Sequence, residues 1–194
     1  MLPILADLQR LKRLDRTGWV LRGLAPGAES VAAHTFGVAL AAMLLADGVR
    51  ARGVEVNVER VLRLALLHDL AEARTGDMPR TMAKYYGAGA RRAAEGAAFG
   101  EMIEGLGAEQ GAEYAGLHEE YEGRATIEAR LVKAADIVDL LAQALAFERA
   151  GARELDEFWE GVEGRDFELE GAAREVVAET LGALVAAREE LRGR

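Results

Sequence analysis

Two imidazoles and two carboxylates, at His34, His68, Asp69 and Asp136, are the side chains in this chain best suited to chemistry. Jointly they can bind one divalent cation and leave coordination positions for water and substrate. Each lies in a strongly apolar stretch: Val31-Ala-Ala-His34, Leu66-Leu67-His68-Asp69-Leu70, and Val132-Lys133-Ala134-Ala135-Asp136-Ile137-Val138. Polar groups in such settings must be paired or coordinated, because unpaired burial costs several kcal/mol. Taken singly, each reads as a core histidine or a helix-terminal aspartate. Taken together, they point to a metal.

Helices must position these groups. Ile4, Leu5, Leu8 and Leu11 recur at helical spacing and predict an amphipathic first helix to about Leu14. Pro26-Gly27 breaks the chain, and Ser30 is placed to cap a long apolar helix running to about Arg52. Asn57 can cap the next helix, whose Val58, Val61, Leu62, Ala65 and Leu66 lead into His68-Asp69. Thr75-Gly76-Asp77-Met78-Pro79 closes that element as a loop. Further helices are predicted at about 90–106, 109–121, 126–150 and 170–192, with a shorter turn near 155–159. Strand patterns are poor and no 20–50-residue repeat is visible. The expectation is one all-α domain over 1–194.

Composition narrows the function classes. The 194 residues are 51% hydrophobic and 29% charged, as in a folded domain rather than a disordered chain. With no cysteine, disulfides, iron–sulfur clusters, Cys-zinc sites and thiol nucleophiles are excluded. The net charge of −9 argues against a nucleic-acid polymer as partner, since polymer affinity rests on neutralising many phosphates. A mononucleotide needs only one well-placed cation or metal. No run approaches the ~18–20 uninterrupted apolar residues of a membrane span, and the first residues meet charge too soon for a signal peptide. The default expectations are a cytoplasmic address and no membrane partner.

The order His34 … His68-Asp69 … Asp136 resembles the signature of the HD-domain superfamily of helical metal-dependent phosphohydrolases. Three blocks extend the resemblance to the YfbR-like 5′-deoxynucleotidases. The first is Arg16-Thr17-Gly18-Trp19, Arg22-Gly23 and Glu29-Ser30-Val31-Ala32-Ala33-His34. The second is Leu67-His68-Asp69-Leu70-Ala71-Glu72 followed by Thr75-Gly76-Asp77-Met78-Pro79. The third is Glu119-Glu120-Tyr121-Glu122 and Glu128 to Asp136. The likeness spans about Arg10 to Glu148, with 151–194 matching less well.

The resemblance implies a helical HD bundle with a mononuclear site. It assigns metal ligation to His34, His68, Asp69 and Asp136, catalysis to Glu72 with Asp77, and substrate contact to Arg16, Trp19 and Asp77. The implied reaction is hydrolysis of deoxyribonucleoside 5′-monophosphates to deoxynucleoside and phosphate, by attack of metal-bound water. Cobalt or manganese would support it, and magnesium, nickel, iron or zinc also suit such a ligand set. A homodimer is implied as well.

The residues make physical sense of these roles. On a helix Glu72 shares a face with Asp69 three positions earlier and can orient water or pass a proton to the leaving 5′-oxygen; the bland alternative is a surface pair with Arg74. Arg16 offers a planar fork for phosphate oxygens, or else an ion pair with Asp15 or Asp7. Trp19 can pack on the sugar and exclude a 2′-hydroxyl, or simply anchor the core. Asp77 can accept the sugar 3′-hydroxyl, or cap the turn before Pro79. Lys133, three residues before Asp136, can neutralise phosphate or that ligand. Ala33 stands where the family usually has an acidic residue, which removes a candidate support for the metal ligands. Thr35 departs from the usual residue after the first histidine, and His118 reads as a helix-surface residue.

Two other readings compete. A phosphodiesterase of the same superfamily acting on another nucleotide is one, although binuclear members need more histidines than the three present. A non-enzymatic helical module keeping a structural metal is the other, and it would not need Glu72, Asp77 and Arg16 together.

Overall fold

A computed structural model describes residues 1–193. They form helices α1 (Leu2–Leu11), α2 (Thr17–Val20), α3 (Val31–Ala51), α4 (Val58–Leu67), α5 (Glu72–Thr75), α6 (Ala83–Tyr86), α7 (Ala88–Ile103), α8 (Ala108–Gly123), α9 (Ile127–Arg149), α10 (Asp156–Trp159) and α11 (Gly171–Arg192), with a 3₁₀ turn at Arg80–Met82. Among the described residues the only β feature is one isolated antiparallel bridge, Asp15 to Ser30. The all-α expectation holds. The residues cluster into two compact units: Met1–Phe36 with Leu66–Gly123, and Gly37–Ala65 with Arg124–Arg194.

The first unit is built on a core of Leu11, Val31, Leu70, Ala71, Ala98, Phe99 and Met102, with Ile4, Leu14 and Tyr114 packed on it. Here α1 and α7 both pack on the four-residue α5. Arg74 of α5 reaches Asp7 of α1 through Nε at 3.1 Å and Glu101 of α7 through Nη1 at 3.0 Å. Those bonds settle the alternative partner for Glu72: Arg74 is committed elsewhere. The first helix stops at Leu11, not Leu14, because the Leu14 carbonyl accepts the Val31 amide at 2.8 Å and Asp15 enters the bridge to Ser30. That pairing fixes the start of α3 beside the end of α1.

In the second unit α9 packs against α10 and α11. Thr126 caps α9 as its hydroxyl accepts the Ala129 amide at 3.2 Å, and Asn57 caps α4 by accepting the Arg60 amide at 3.0 Å. Arg188 of α11 binds the buried Glu148 of α9 in a fork, Nη2 to Oε1 at 2.6 Å and Nε to Oε2 at 2.9 Å. Its guanidinium also lies 4.7 Å from the Trp159 ring. On α3, Gly37 meets α9 so closely that a Cβ there would sit 1.9 Å from Oδ1 of Asp139.

By length and mean hydropathy, 21 residues at 1.5, α3 is apolar enough to cross a bilayer. Its Val31, Val38, Ala42, Leu45, Ala46 and Val49 are buried as core instead, and His34, Thr35, Asp47 and Arg50 interrupt the apolar run.

Candidate active site

His34 stands on the first turn of α3, and His68 and Asp69 on the turn that follows α4. Both histidines are buried, and their rings meet edge to face with centroids 5.6 Å apart. Their Nε2 atoms point to the same oxygen of Asp69: His68 at 3.1 Å and His34 at 3.7 Å from Oδ2. Two imidazole nitrogens and a carboxylate oxygen thus converge on one point. This is the mixed donor set of a divalent metal site, and the residues fit such an ion. The Tyr121 ring packs edge to face on His68, at 5.6 Å between centroids, and forms part of the wall.

Charge reinforces the geometry. Burial alone would raise the Asp69 carboxyl, but the charges of His68, His34 and Arg16 hold it well below the usual carboxylate range. Arg16 precedes α2 as its N-cap residue and places Nη1 3.4 Å from Asp69 Oδ2. It therefore faces the ligand cluster. Its alternative partners are occupied elsewhere: Asp15 accepts the Gly27 amide, and Asp7 holds Arg10 and Arg74.

Glu72 opens α5 and is 3% exposed. The expectation of one continuous helix through Asp69 and Glu72 is corrected: α4 ends at Leu67, and residues 68–71 form a turn before α5. The turn still keeps the two residues adjacent, since the Glu72 amide donates to the Asp69 carbonyl at 3.1 Å. Oε2 of Glu72 is buried and has no hydrogen-bond partner among the described residues. Burial, then the charges of Asp69 and Asp77, push its carboxyl well above the ordinary value, with Arg16 and Arg91 partly opposing. A carboxyl raised in this way is suited to proton transfer.

Asp77 lies in the loop after α5 and caps α2, its carboxylate accepting the Thr17 amide while its carbonyl accepts the Thr17 hydroxyl at 2.8 Å. The cap joins the Asp77 loop to the Arg16–Trp19 segment. Trp19 is 1% exposed, and its indole N–H donates to Glu29. Glu29 is itself buried and offers an oxygen within 4.8 Å of a His34 ring nitrogen. A carboxylate thus lies near His34 from Glu29, five residues earlier, while Ala33 is exposed. Lys133 and Asp136 lie on α9, paired Nζ to Oδ2 at 2.7 Å. His118 is not a plain surface residue: it is half-buried and stacks on Phe99 at 4.4 Å.

Sequence reasoning gave no role to three residues of this region: Glu29, Arg91 and Glu95. Arg91 of α7 places Nη2 3.6 Å from Glu72 Oε1, while Glu95 one turn on holds Arg91 Nε at 2.6 Å. An Arg–Glu pair at i,i+4 is a commonplace of solvated helices, so its spacing carried no signal.

The HD domain pattern matches residues 8–175. The match reaches well past the Arg10–Glu148 span of the motif resemblance. The chain is 33% identical to the 5′-deoxynucleotidase HDDC2 of Danio rerio over 169 residues, covering 85% of this chain and 79% of that protein. It is 32% identical to the 5′-deoxynucleotidase hdd1 of Schizosaccharomyces pombe over 168 residues, covering 83% and 80%. Among solved structures, the PH0347 protein of Pyrococcus horikoshii superimposes with a TM-score of 0.81 at 33% identity, covering 96% of this chain and 99% of that one. The chain belongs to the HD-domain family.

Proposed function

We propose that this protein is a metal-dependent phosphohydrolase converting deoxyribonucleoside 5′-monophosphates to deoxynucleoside and phosphate. One observation carries the reading: His34 and His68 converge on Asp69 beside the Arg16 guanidinium and a buried Glu72 oxygen that has no hydrogen-bond partner among the described residues. The names of the relatives support the substrate class.

In this reading His34, His68, Asp69 and Asp136 hold one divalent ion, with cobalt or manganese preferred and magnesium, nickel, iron or zinc also suited. When bound, the ion supplies Lewis acidity at the phosphoryl oxygens and lowers the pKa of water at the site. Arg16 binds phosphate oxygens through its planar fork. Glu72 passes a proton to the leaving 5′-oxygen, or orients the attacking water. Asp77 accepts the sugar 3′-hydroxyl, and Trp19 backs the sugar pocket. Lys133 neutralises Asp136 or the phosphate.

The same proposal takes 1–194 as one HD domain, supported by a family match that runs through both units. It makes the protein a cytoplasmic enzyme of small nucleotides, with no polymer or membrane partner. It also makes the protein a homodimer, supported by Phe36, Leu40 and Leu44, which are 72%, 45% and 62% exposed in one row along α3. Leu40→Glu with sedimentation analysis tests that part, and an unchanged mass would remove it.

Phosphate release from matched deoxyribo- and ribonucleoside 5′-monophosphates, after chelation and after restoring Mn²⁺ or Co²⁺, tests the whole. Metal-restored release favouring the deoxy forms is expected. No release with metal bound would turn the reading to a phosphodiesterase or to a binding module.

A further inference from the structure

The charges of Asp69 and Asp77 both bear on Glu72 in the first unit, so an incoming phosphate dianion meets repulsion there. Arg16 supplies one opposing guanidinium. Arg91 supplies a second, from a different helix and from the side of Glu72. Its anchor is tight and its reach is loose. Nε is held by Glu95 at 2.6 Å, whereas Nη2 stands 3.6 Å from Glu72, beyond hydrogen-bond length. Glu95 is itself well covered, at 13% side-chain exposure, while Arg91 keeps 37%. The guanidinium is thus oriented by its Nε edge, on a side chain that stays partly exposed. Its neighbour Arg92 differs: 67% exposed, it is turned to Glu122.

We propose that Arg91 is a second phosphate-binding residue of this site, with Glu95 as the residue that positions it; this rests on the phosphohydrolase reading above. The Nη edge can leave its loose approach to Glu72 for phosphate oxygens without breaking a tight pair. Its planar fork suits two such oxygens. Arg16 and Arg91 would then hold the phosphate from two sides, and Glu72 would keep its place between them.

The test is calorimetric titration of inorganic phosphate into the Mn²⁺-loaded protein, with melting curves to confirm folding. Arg91→Gln should weaken phosphate binding about ten-fold, equivalent to about 1.4 kcal/mol, as expected for a lost charge-assisted bond. Arg91→Lys should recover part of it. Glu95→Gln should weaken binding less, by loosening the anchor. Arg92→Gln should leave it unchanged. Unchanged phosphate affinity in Arg91→Gln overturns the proposal, and so does an unchanged affinity accompanied by a fall in kcat, which would make Arg91 a support for Glu72 only. A wild-type protein that binds no phosphate overturns it as well. Phosphate binding that depends on Arg91, in a protein that releases no phosphate from deoxynucleotides, would keep the anion site and remove the hydrolase reading.

Discussion

Glu72 sits where stability and chemistry conflict, and replacing it with glutamine should expose that conflict. Its side chain is buried, Oε2 lacks a hydrogen-bond partner among the described residues, and Asp69 and Asp77 repel its charge. Glutamine keeps the shape and removes the charge. A polar atom stays at the Oε2 position, so the gain is the removed penalty of the buried ionisable group, on the order of 1–3 kcal/mol. At roughly 2–4 °C per kcal/mol for a chain of this size, the chelated Glu72→Gln protein should melt about 2–12 °C above the wild type at pH 7. The pH dependence has a definite sign. A carboxyl whose pKa is raised by folding takes up a proton on folding, so its charge penalty is absent below the unfolded value of 4.5 and grows as pH rises towards the folded one. The advantage of the variant should therefore shrink as pH falls from 7 towards 4.5. Thermal unfolding of both chelated proteins across this range measures it. A Glu72→Gln protein that melts at or below the wild type at pH 7, or a gap that widens towards acid, would refute the reasoning.

Other substitutions separate the roles. His68→Ala should abolish Mn²⁺ binding and turnover together, whereas Glu72→Gln should keep the metal and lose turnover by about 10²–10⁴-fold; calorimetry beside a phosphate assay decides. Gly37→Ala should lower stability by about 1–2 kcal/mol, because a Cβ meeting Asp139 at 1.9 Å costs more than the ~1 kcal/mol of helix propensity it gains. Gly182→Ala on α11, where a Cβ meets nothing within 4 Å, should stabilise by up to ~1 kcal/mol, and denaturant melts of the pair compare them. Trp19→Phe keeps an aromatic ring in the buried slot and removes the donor to Glu29. If Trp19 backs the sugar pocket, the ratio of deoxy- to ribonucleotide turnover should narrow, and an unchanged ratio would remove that role.

The long helices were legible because their apolar periodicity and caps are local. Ser30, Asn57 and Thr126 mark starts close to where α3, α4 and α9 begin. His34, His68 and Asp69 were legible for another reason: polar ligand types inside apolar helical runs have few structural uses. What the sequence withheld lies in contacts between distant segments. Position 33, where the family usually has an acidic residue, is alanine, and the carboxylate near His34 is that of Glu29, whose place shows only once Trp19 and His34 lie beside it. Arg91 lies nineteen positions after Glu72 on another helix. Arg74, adjacent in sequence to the site, turns away from it to tie α5 to α1 and α7.

The same contrast explains how the site is held. Arg16 and Trp19 belong to α2 and its N-cap, and Glu72 to α5; both helices have four residues. Helices so short do not persist alone, since the first turn costs more in ordering than its few bonds return. Their stability must come from outside. For α2 it comes from Asp77, which caps Thr17 from sixty positions away. For α5 it comes from the Asp7–Arg74–Glu101 chain of ion pairs and the apolar contact of Leu70 and Ala71 with the first-unit core. The residues proposed to touch substrate therefore ride on elements that hydrophobic periodicity cannot announce, while His34 sits on the first turn of the long α3 and His68 just past the end of α4, both of which it can. Asp77 serves both levels: it is a candidate contact for the sugar and the cap that keeps Arg16 and Trp19 in place. Its substitution should disturb phosphate, sugar and α2 geometry together, so an effect on turnover alone would not assign its role.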